Sequence, residues 1–461
     1  MADSYGDVFL LRFGTRNAVV VSSLSAAEEC FTKNDVVFAN RSQSLAGKHL
    51  NYNHKTIGFS NYNDHWRSLR RLTSLELLSA TRLSTFTGIR HEEIKLTVKQ
   101  LLEEHNSSNY ELSHNYTKWT RVKLRPKIVD LVFNIMMKMI AGKRYYGNEV
   151  VAEEAKQFQS IIREASELLG SANINDFLPF LQWIDFQGVE KRMIKCMKKM
   201  DSFFQSLVDE HKKIITARAE TGANDDERNV TFIELILSLQ KPNPEAYDDE
   251  TIKGLILAML FAGTDTTILT IEWAMSLLLN HPNAMHNAWA EIEGNVGHDR
   301  LLNESDLPNL HYLQSVINET FRLFPSIPII PRESSDDCTV SGFFIPKGTM
   351  MFVNTWTIQR DEKLWENATS FLPERFGEHG AQGINKLLMF GGGRRICPGA
   401  LSARRVVSLA LGSLIQTFEW KRIGAEVVDL AEEGGLHMLK VEPLEALCKP
   451  QLTMLHTLNQ L

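Results

Sequence analysis

The sequence predicts a mainly α-helical protein with a small β region, built as a single domain over residues 1–461. Three observations predict it. Apolar residues recur at helical spacing through most of the first 320 or so positions. One segment, about 250 to 280, reads as an unbroken helix; at ~1.5 Å per residue it would be about 45 Å long and cross the whole molecule. Between 325 and 360 the pattern turns strand-like, punctuated by Pro325, Pro328, Pro331, Gly342, Pro346 and Gly348. Length alone would suggest about three domains, but no linker divides the chain.

Taken in order, Val8–Arg12 and Ala18–Ser22 flank a Gly14-Thr15-Arg16 turn and read as a β-hairpin. Helical spacing follows near 24–33, 64–72, 87–105, 126–141, 150–169 and 187–218. Residues 219–231 and 241–249 are polar loops. The long helix ends at His281-Pro282, and further helices cover 283–296 and 311–324. After the strand-like stretch, a Gly-rich loop at 391–393 leads into a helix at about 399–417, and 418–461 reads as short strands. No internal repeat or low-complexity tract occurs.

Composition narrows the function. Apolar residues make up 43% and charged residues 23%, as in a globular protein with a sizeable core. The net charge of −6 gives no reason to expect a nucleic-acid partner. Five cysteines, Cys30, Cys196, Cys338, Cys397 and Cys448, are widely spread without a CxxC pair. That speaks against a disulfide framework or a zinc site and suits a reducing compartment. No signal peptide precedes the first hairpin, and no run of ~18 apolar residues occurs; the longest, about Leu255 to Ala262, is too short to span a bilayer. As given, the chain reads as soluble or peripherally attached.

Four stretches carry chemistry. Phe390-Gly391-Gly392-Gly393-Arg394-Arg395-Ile396-Cys397-Pro398-Gly399 is the strongest. Its glycines let the backbone approach a flat ligand closely. Cys397 sits just ahead of a helix, where backbone N–H groups favour a thiolate, a soft, strongly donating ligand for haem iron that promotes O–O cleavage. The alternative is a buried free Cys behind a glycine turn. Glu319-Thr320-Phe321-Arg322 places an acid and a base three apart on one helix face; such a pair is usually a solvated salt bridge. Ala262-Gly263-Thr264-Asp265-Thr266-Thr267 lies in mid-helix, where Gly and consecutive Thr can bend the helix through hydroxyl insertion. Trp66-Arg67-Ser68-Leu69-Arg70 puts Trp66 and Arg70 four apart on one face.

Together these motifs resemble the cytochrome P-450 family. Phe390, Gly393, Arg395, Cys397 and Gly399 match its haem-binding signature, and the other motifs follow in family order over nearly the whole chain. The resemblance implies haem b between the long helix and the Cys loop, with Cys397 as metal ligand. It implies Arg395, Trp66, Arg70 and Arg332 at the haem propionates. Glu319, Arg322 and Arg375 would form a buried scaffold for the loop. Thr266 would hydrogen-bond bound dioxygen, and Asp265 would relay protons. Finer stretches, including Phe38-Ala39-Asn40-Arg41, Phe180-Leu181-Gln182-Trp183-Ile184-Asp185 and Glu442-Pro443-Leu444-Glu445-Ala446, resemble plant flavonoid and isoflavonoid hydroxylases.

The resemblance therefore implies a monomeric monooxygenase of small apolar or phenolic metabolites, fed with NADPH electrons by a flavoprotein reductase. A haem-thiolate isomerase or dehydratase, or a non-enzymatic haem sensor, are the rival readings; the retained Asp265-Thr266 pair argues against both. A basic face formed by Arg67, Arg71, Lys386, Arg394, Arg404 and Arg405 would suit an acidic electron donor. Pocket residues should come from 42–60, 168–181, 254–266, 326–331 and 434–440, with Phe261, Ile327, Ile329, Ile330 and Leu436 prominent.

The family's location is the cytosolic face of the endoplasmic reticulum membrane. The expected anchor and Pro-rich hinge do not precede the first hairpin. Phe177, Leu178, Pro179, Phe180, Leu181, Trp183, Ile184 and Phe186 form an apolar stretch that either dips into lipid or packs in the core, followed by Lys191, Arg192, Lys195, Lys198 and Lys199. Two further departures are Met389 in place of Pro, and His437 and Leu439 in place of Thr and Pro. His437 is expected at the surface, with the substrate pocket as the alternative.

Overall fold

The structure, a computed structural model, describes residues 2–108, 118–147, 152–170, 173–178, 181, 185, 187–221, 230–242, 244–245, 247–377 and 381–461. It is mainly helical with four small sheets among the described residues. The sequence-predicted helices are present with ends shifted by a few residues, as Leu24–Phe31, Asp64–Leu72, Thr87–Ser108, Leu124–Ala141, Ala152–Gly170 and Val189–Thr221. Further along come Asp249–Asn280, Pro282–Val296, His311–Leu323 and Ala400–Thr417.

Asp249–Asn280 is the axis of the fold. Asp248 caps it by accepting from Thr251 N at 2.8 Å, which satisfies one of the helix's free N–H groups. His281 ends it because the following proline disfavours a helical residue before it, and Pro282 then opens the next helix. The long helix packs between Leu124–Ala141 and Ala400–Thr417. Apart from its first turn, Lys253, the polar turn at 264–267, Thr270, Glu272 and Ser276 it is largely apolar, and residues from all round it sit in the main core. It is long and apolar enough to cross a membrane, yet 67% of its most apolar window is buried inside the protein. Trp273 lies stacked on Phe324 with ring centroids 4.0 Å apart.

The main sheet has the order Val8–Phe13, Arg16–Val21, Met350–Asn354, Ile329–Glu333. Arg16–Val21 pairs in parallel with Met350–Asn354, so its closure waits on the whole helical body between them. A second sheet joins Thr120–Lys123 to Glu445–Pro450 and Phe418–Lys421. That pairing ties the C-terminal tail to the first third of the chain. Helices Leu45–Leu50, Ala80–Thr85 and Phe232–Gln240 lie beyond the sequence expectation. The last had a readable signal: Thr231 and Glu234 form a capping box.

Glu319 and Arg322 are fully buried, and Arg375 lies at the partly exposed edge of the scaffold. Arg322 grips Glu319 through two 2.7 Å bonds. The guanidinium also donates to Gln359 O at 2.7 Å, Ala368 O at 2.6 Å and Ser370 O at 3.1 Å. Arg375 adds a 3.2 Å bond to Glu319, and Leu372 N donates to the same carboxylate at 3.0 Å. The solvated salt bridge that an isolated acid–base pair would suggest does not apply here. Instead the pair clamps four backbone groups of the 359–372 segment. Gln359 in turn donates to Lys386 O at 3.1 Å, passing the order on toward the Cys loop.

Candidate functional site

The Cys loop is held from three sides. Its own backbone closes it: Gly391 N donates to Leu388 O at 2.8 Å and Cys397 N to Phe390 O at 2.9 Å. Asp35 latches it by accepting from Arg394 N at 2.8 Å. Gly393 has φ +63°, and a Cβ there would collide with Asp35 Oδ1 and sit 2.9 Å from Phe31 O; only glycine fits. From the third side, Phe390 meets Phe321 edge-on at 5.5 Å. The Arg404 guanidinium lies 5.3 and 5.4 Å from those two rings and donates to Asn318 at 2.8 Å.

Cys397 is solvent-accessible, yet burial is the largest influence on its thiol. It therefore lines an interior space. Burial pushes the thiol up, while the Gly399 N–H, the Arg70 charge and the Ala400 N–H pull it down. This amends the expectation of a ready thiolate: the helix N-terminus helps, but burial wins for the free thiol. A metal cation at the sulfur would reverse the balance, because a coordinating thiol is deprotonated outright. Arg70 also donates to Ile396 O at 2.6 Å.

Three arginines converge beside the loop. Arg332 is almost wholly buried, and its arginine pKa is held well down by burial and by Arg41 and Arg395. Arg395 is lowered to about 9, by burial, Arg41 and Arg70, and burial lowers Arg41 to about 10. Asp35 is the acid felt by Arg332. The donors go mostly to carbonyls: Arg395 to Ala39 O at 2.6 Å and to Ser60 O, Arg41 to Pro331 O, Arg332 to its neighbour Pro331 O at 3.0 Å. Arg41 Nε is buried without a hydrogen-bond partner. Like charges this deep are costly unless an anion joins them, so the cluster fits a ligand bearing carboxylates. In the sequence Arg41 appears only within the Phe38-Ala39-Asn40-Arg41 resemblance, with no site role attached to it. Trp66, expected at the propionates, is placed beside Arg395. Its indole N–H donates to Ile57 O at 3.0 Å, and its ring lies 4.5 Å from the Arg395 guanidinium, so Trp66 braces Arg395.

The long helix supplies a polar turn. It runs as one continuous helix through this turn. As expected, the hydroxyls engage the backbone ladder, donating to the carbonyls four residues back: Thr264 to Leu260 at 2.8 Å, Thr266 to Ala262 at 2.8 Å and Thr267 to Gly263 at 2.9 Å. Ala262 is accessible in mid-helix, although most of that helix is buried. Ser326 donates to Thr266 O at 3.1 Å, which docks the start of the strand region on this turn. Asp265 accepts from Ser166 Oγ at 3.4 Å, and His437 Nδ1 stands 4.0 Å from the same oxygen. Burial raises the Asp265 carboxyl against the opposing pull of His437 and Ser166. The surface expectation for His437 is thus overturned: its side chain is 21% exposed and faces Asp265.

Other expectations change too. Ile330 is packed in the sheet core, whereas Ile329 and Leu436 are open at 47% and 42% exposure. The basic face is thinner than expected. Arg404 turns inward, Arg405 pairs with Glu304 at 3.3 Å, and Lys386 donates to Leu364 O at 3.3 Å. Arg67 and Arg394 are paired with Asp64 and Asp35, and Arg71 is exposed. In the apolar stretch, Phe177 meets Phe13 at 5.5 Å, and its carbonyl accepts from Thr15 N at 3.1 Å. Pro179, Phe180, Trp183, Ile184 and Phe186 lie outside the described residues.

Comparison with known proteins adds to this geometry. The sequence model of the family described as Cytochrome P450 matches residues 1–448. The chain is 48% identical to cytochrome P450 81Q32 of Catharanthus roseus, over 98% of this chain and 86% of that protein. It is 46% identical to the (+)-piperitol/(+)-sesamin synthase of Sesamum radiatum, over 99% and 86%. It is 44% identical to the isoflavone 3'-hydroxylase of Medicago truncatula, over 97% and 86%. Among solved structures, a zebra fish cytochrome P450 with progesterone superposes with a TM-score of 0.79 at 23% identity, covering 98% of this chain and 97% of that one; this likeness concerns the fold.

Proposed function

The chain belongs to the cytochrome P450 family, a haem-dependent monooxygenase by that membership, and from that premise we propose how its residues divide the work on a specialised metabolite. Cys397 holds the haem iron through its thiolate. Arg41, Arg332 and Arg395 bind the propionates, with Trp66 bracing Arg395 and Arg70 beside the Cys397 loop. Phe390, Gly393 and Gly399 shape the loop, and Glu319, Arg322 and Arg375 hold it. The observation that carries this reading is the convergence of an accessible interior thiol with buried, acid-poor arginines, the donor set that a haem with two carboxylates requires.

When bound, the haem supplies the redox chemistry that splits O2 between substrate and water. In sum, substrate, O2, two electrons and two protons give hydroxylated substrate and water. The chain's residues do the rest. Thr266 keeps its hydroxyl on Ala262 O and offers its lone pairs and, on rotation, its proton toward the site. Asp265 carries a proton to that turn, which a carboxyl with a raised pKa does more readily near neutral pH. The apolar walls, including Phe261 and Ile327, exclude water.

The substrate class is small, apolar and phenolic, like the isoflavones in the names of relatives. Electrons come from NADPH through a flavoprotein reductase that docks near exposed Arg71. The protein works as a single-domain monomer at the cytosolic face of the endoplasmic reticulum membrane. The exposed basic run Lys191, Arg192, Lys195, Lys198 and Lys199 on Val189–Thr221 supports that surface. NADPH-dependent turnover separates this reading from a haem-thiolate isomerase.

The test is the absorbance spectrum of the reduced, CO-bound protein beside Cys397→Ala. A strongly red-shifted Soret band, lost in the variant, is the expected result. An unshifted band with Cys397 intact overturns the assignment.

A further inference from the structure

His437 does not sit beside Asp265 by chance of a loose loop. The turn that carries it is fastened at successive positions. Trp273 of the long helix donates to Met438 O at 3.0 Å. Met438 N donates to Ser326 O at 3.1 Å. Arg125 donates to Lys440 O at 2.9 Å and is itself fixed to buried Glu272 at 2.8 Å. Glu272 also accepts from Leu444 N at 2.8 Å. The long helix that presents Asp265 thus also anchors the turn that presents His437, so their spacing is set by one rigid element.

Among the described residues, the surroundings of Asp265 are sparse in charge. Ser166 from Ala152–Gly170 reaches it at 3.4 Å, and among the described residues His437 is the cation-capable group within ion-pair range. Tyr146 feels the Asp265 charge and that of Asp130, with Arg163 opposing them. His437 itself is pulled two ways: burial lowers its pKa and Asp265 raises it. Separation by 4.0 Å puts the pair one bridging water, or one small side-chain movement, from proton exchange.

We infer that His437 is a positioning residue that loads Asp265 with protons, so that the His437–Asp265 pair and not Asp265 alone governs proton delivery at Thr266. This rests on the proposed roles of Asp265 and Thr266. The step is balanced: imidazolium Nδ1–H passes its proton to Asp265 Oδ2, leaving neutral imidazole and a carboxylic acid. Asp265 hands that proton to the Thr266 turn, and the partly accessible imidazole is reprotonated by hydronium or buffer acid from solvent, leaving water or the buffer base.

The first test needs no turnover. The full chain is prepared with ring-labelled histidine, and the His437 resonance is identified as the one of 14 that vanishes in His437→Gln. A carboxylate at 4.0 Å should hold the imidazole midpoint up by about one pH unit or more. Asp265→Asn should therefore lower that midpoint by at least about tenfold in proton affinity. An unmoved midpoint overturns the coupling. The second test is NADPH consumption by holoenzyme with reductase and dissolved O2. Wild-type turnover should fall as pH rises through the His437 midpoint, and His437→Gln should flatten that limb while keeping the red-shifted CO spectrum. An unaltered profile overturns the inference. Loss of the CO spectrum from wild type would sink the underlying reading instead.

Discussion

Replacing Arg322 with Met should destabilise this protein more than almost any other single change. The side chain is wholly buried and makes five hydrogen bonds, two to Glu319 and three to backbone carbonyls. Without it, Glu319 keeps Leu372 N and the longer Arg375 bond, and is left as a poorly compensated buried charge. Breaking a buried pair from one side costs about 3–5 kcal/mol. Stranding a buried carbonyl costs about 1–3 kcal/mol more, so about 5 kcal/mol is a cautious total. Unfolding entropy near 2.1 cal/mol/K per residue scales to roughly 1 kcal/mol/K for a chain of 461 residues. The melting temperature should therefore fall by about 5 °C. Arg375→Met removes a 3.2 Å bond to Glu319 and a 2.7 Å bond to Asn367 O at the edge of the network and should cost about 1–3 °C. Scanning calorimetry of both variants at one scan rate reads the contrast. Equal shifts, or an Arg322→Met shift under about 1 °C, would refute the claim that Arg322 clamps the 359–372 segment.

Three more outcomes follow from the same geometry. Gly393→Ala, with its positive φ and the Asp35 clash, should abolish haem retention, whereas Gly263→Ala meets the flexible end of Met136 at 2.7 Å and should retain it; pigment per protein measures both. Arg332→Met removes a like charge from the arginine cluster, so it should raise the melting temperature of the haem-free protein while weakening haem retention in dialysis against a haem acceptor. Burial lifts the Asp130 carboxyl to about 6, against the pull of Lys127 and Arg144. Its ordinary value is near 4, so the folded state holds the proton more tightly and stability falls as pH rises from about 4 to about 6. Asp130→Asn should recover about 1 kcal/mol at pH ~8, discounted from about 3 for partial exposure, and nothing below pH ~4. Urea midpoints across that range decide it.

The sequence by itself determined the mainly helical body, the long central helix and the Cys loop. Each depends on local pattern: helical apolar spacing, a Pro stop at 282, and glycines that tolerate close approach. Tertiary structure decided how they are completed. The partner of Glu319 and Arg322 could be named, but their burial against Gln359, Ala368 and Ser370 carbonyls arises only when distant segments meet. Arg41 gains its meaning from Arg332 and Arg395, about 290 and 350 residues away, and no spacing rule reaches that far. His437 was unreadable for the same reason: a histidine in a turn near the C-terminus looks solvated until Trp273, Arg125 and Glu272 tie that turn to the helix bearing Asp265. Local propensity is encoded over a few residues, whereas charge, burial and proton affinity depend on whatever the fold brings within a few ångströms.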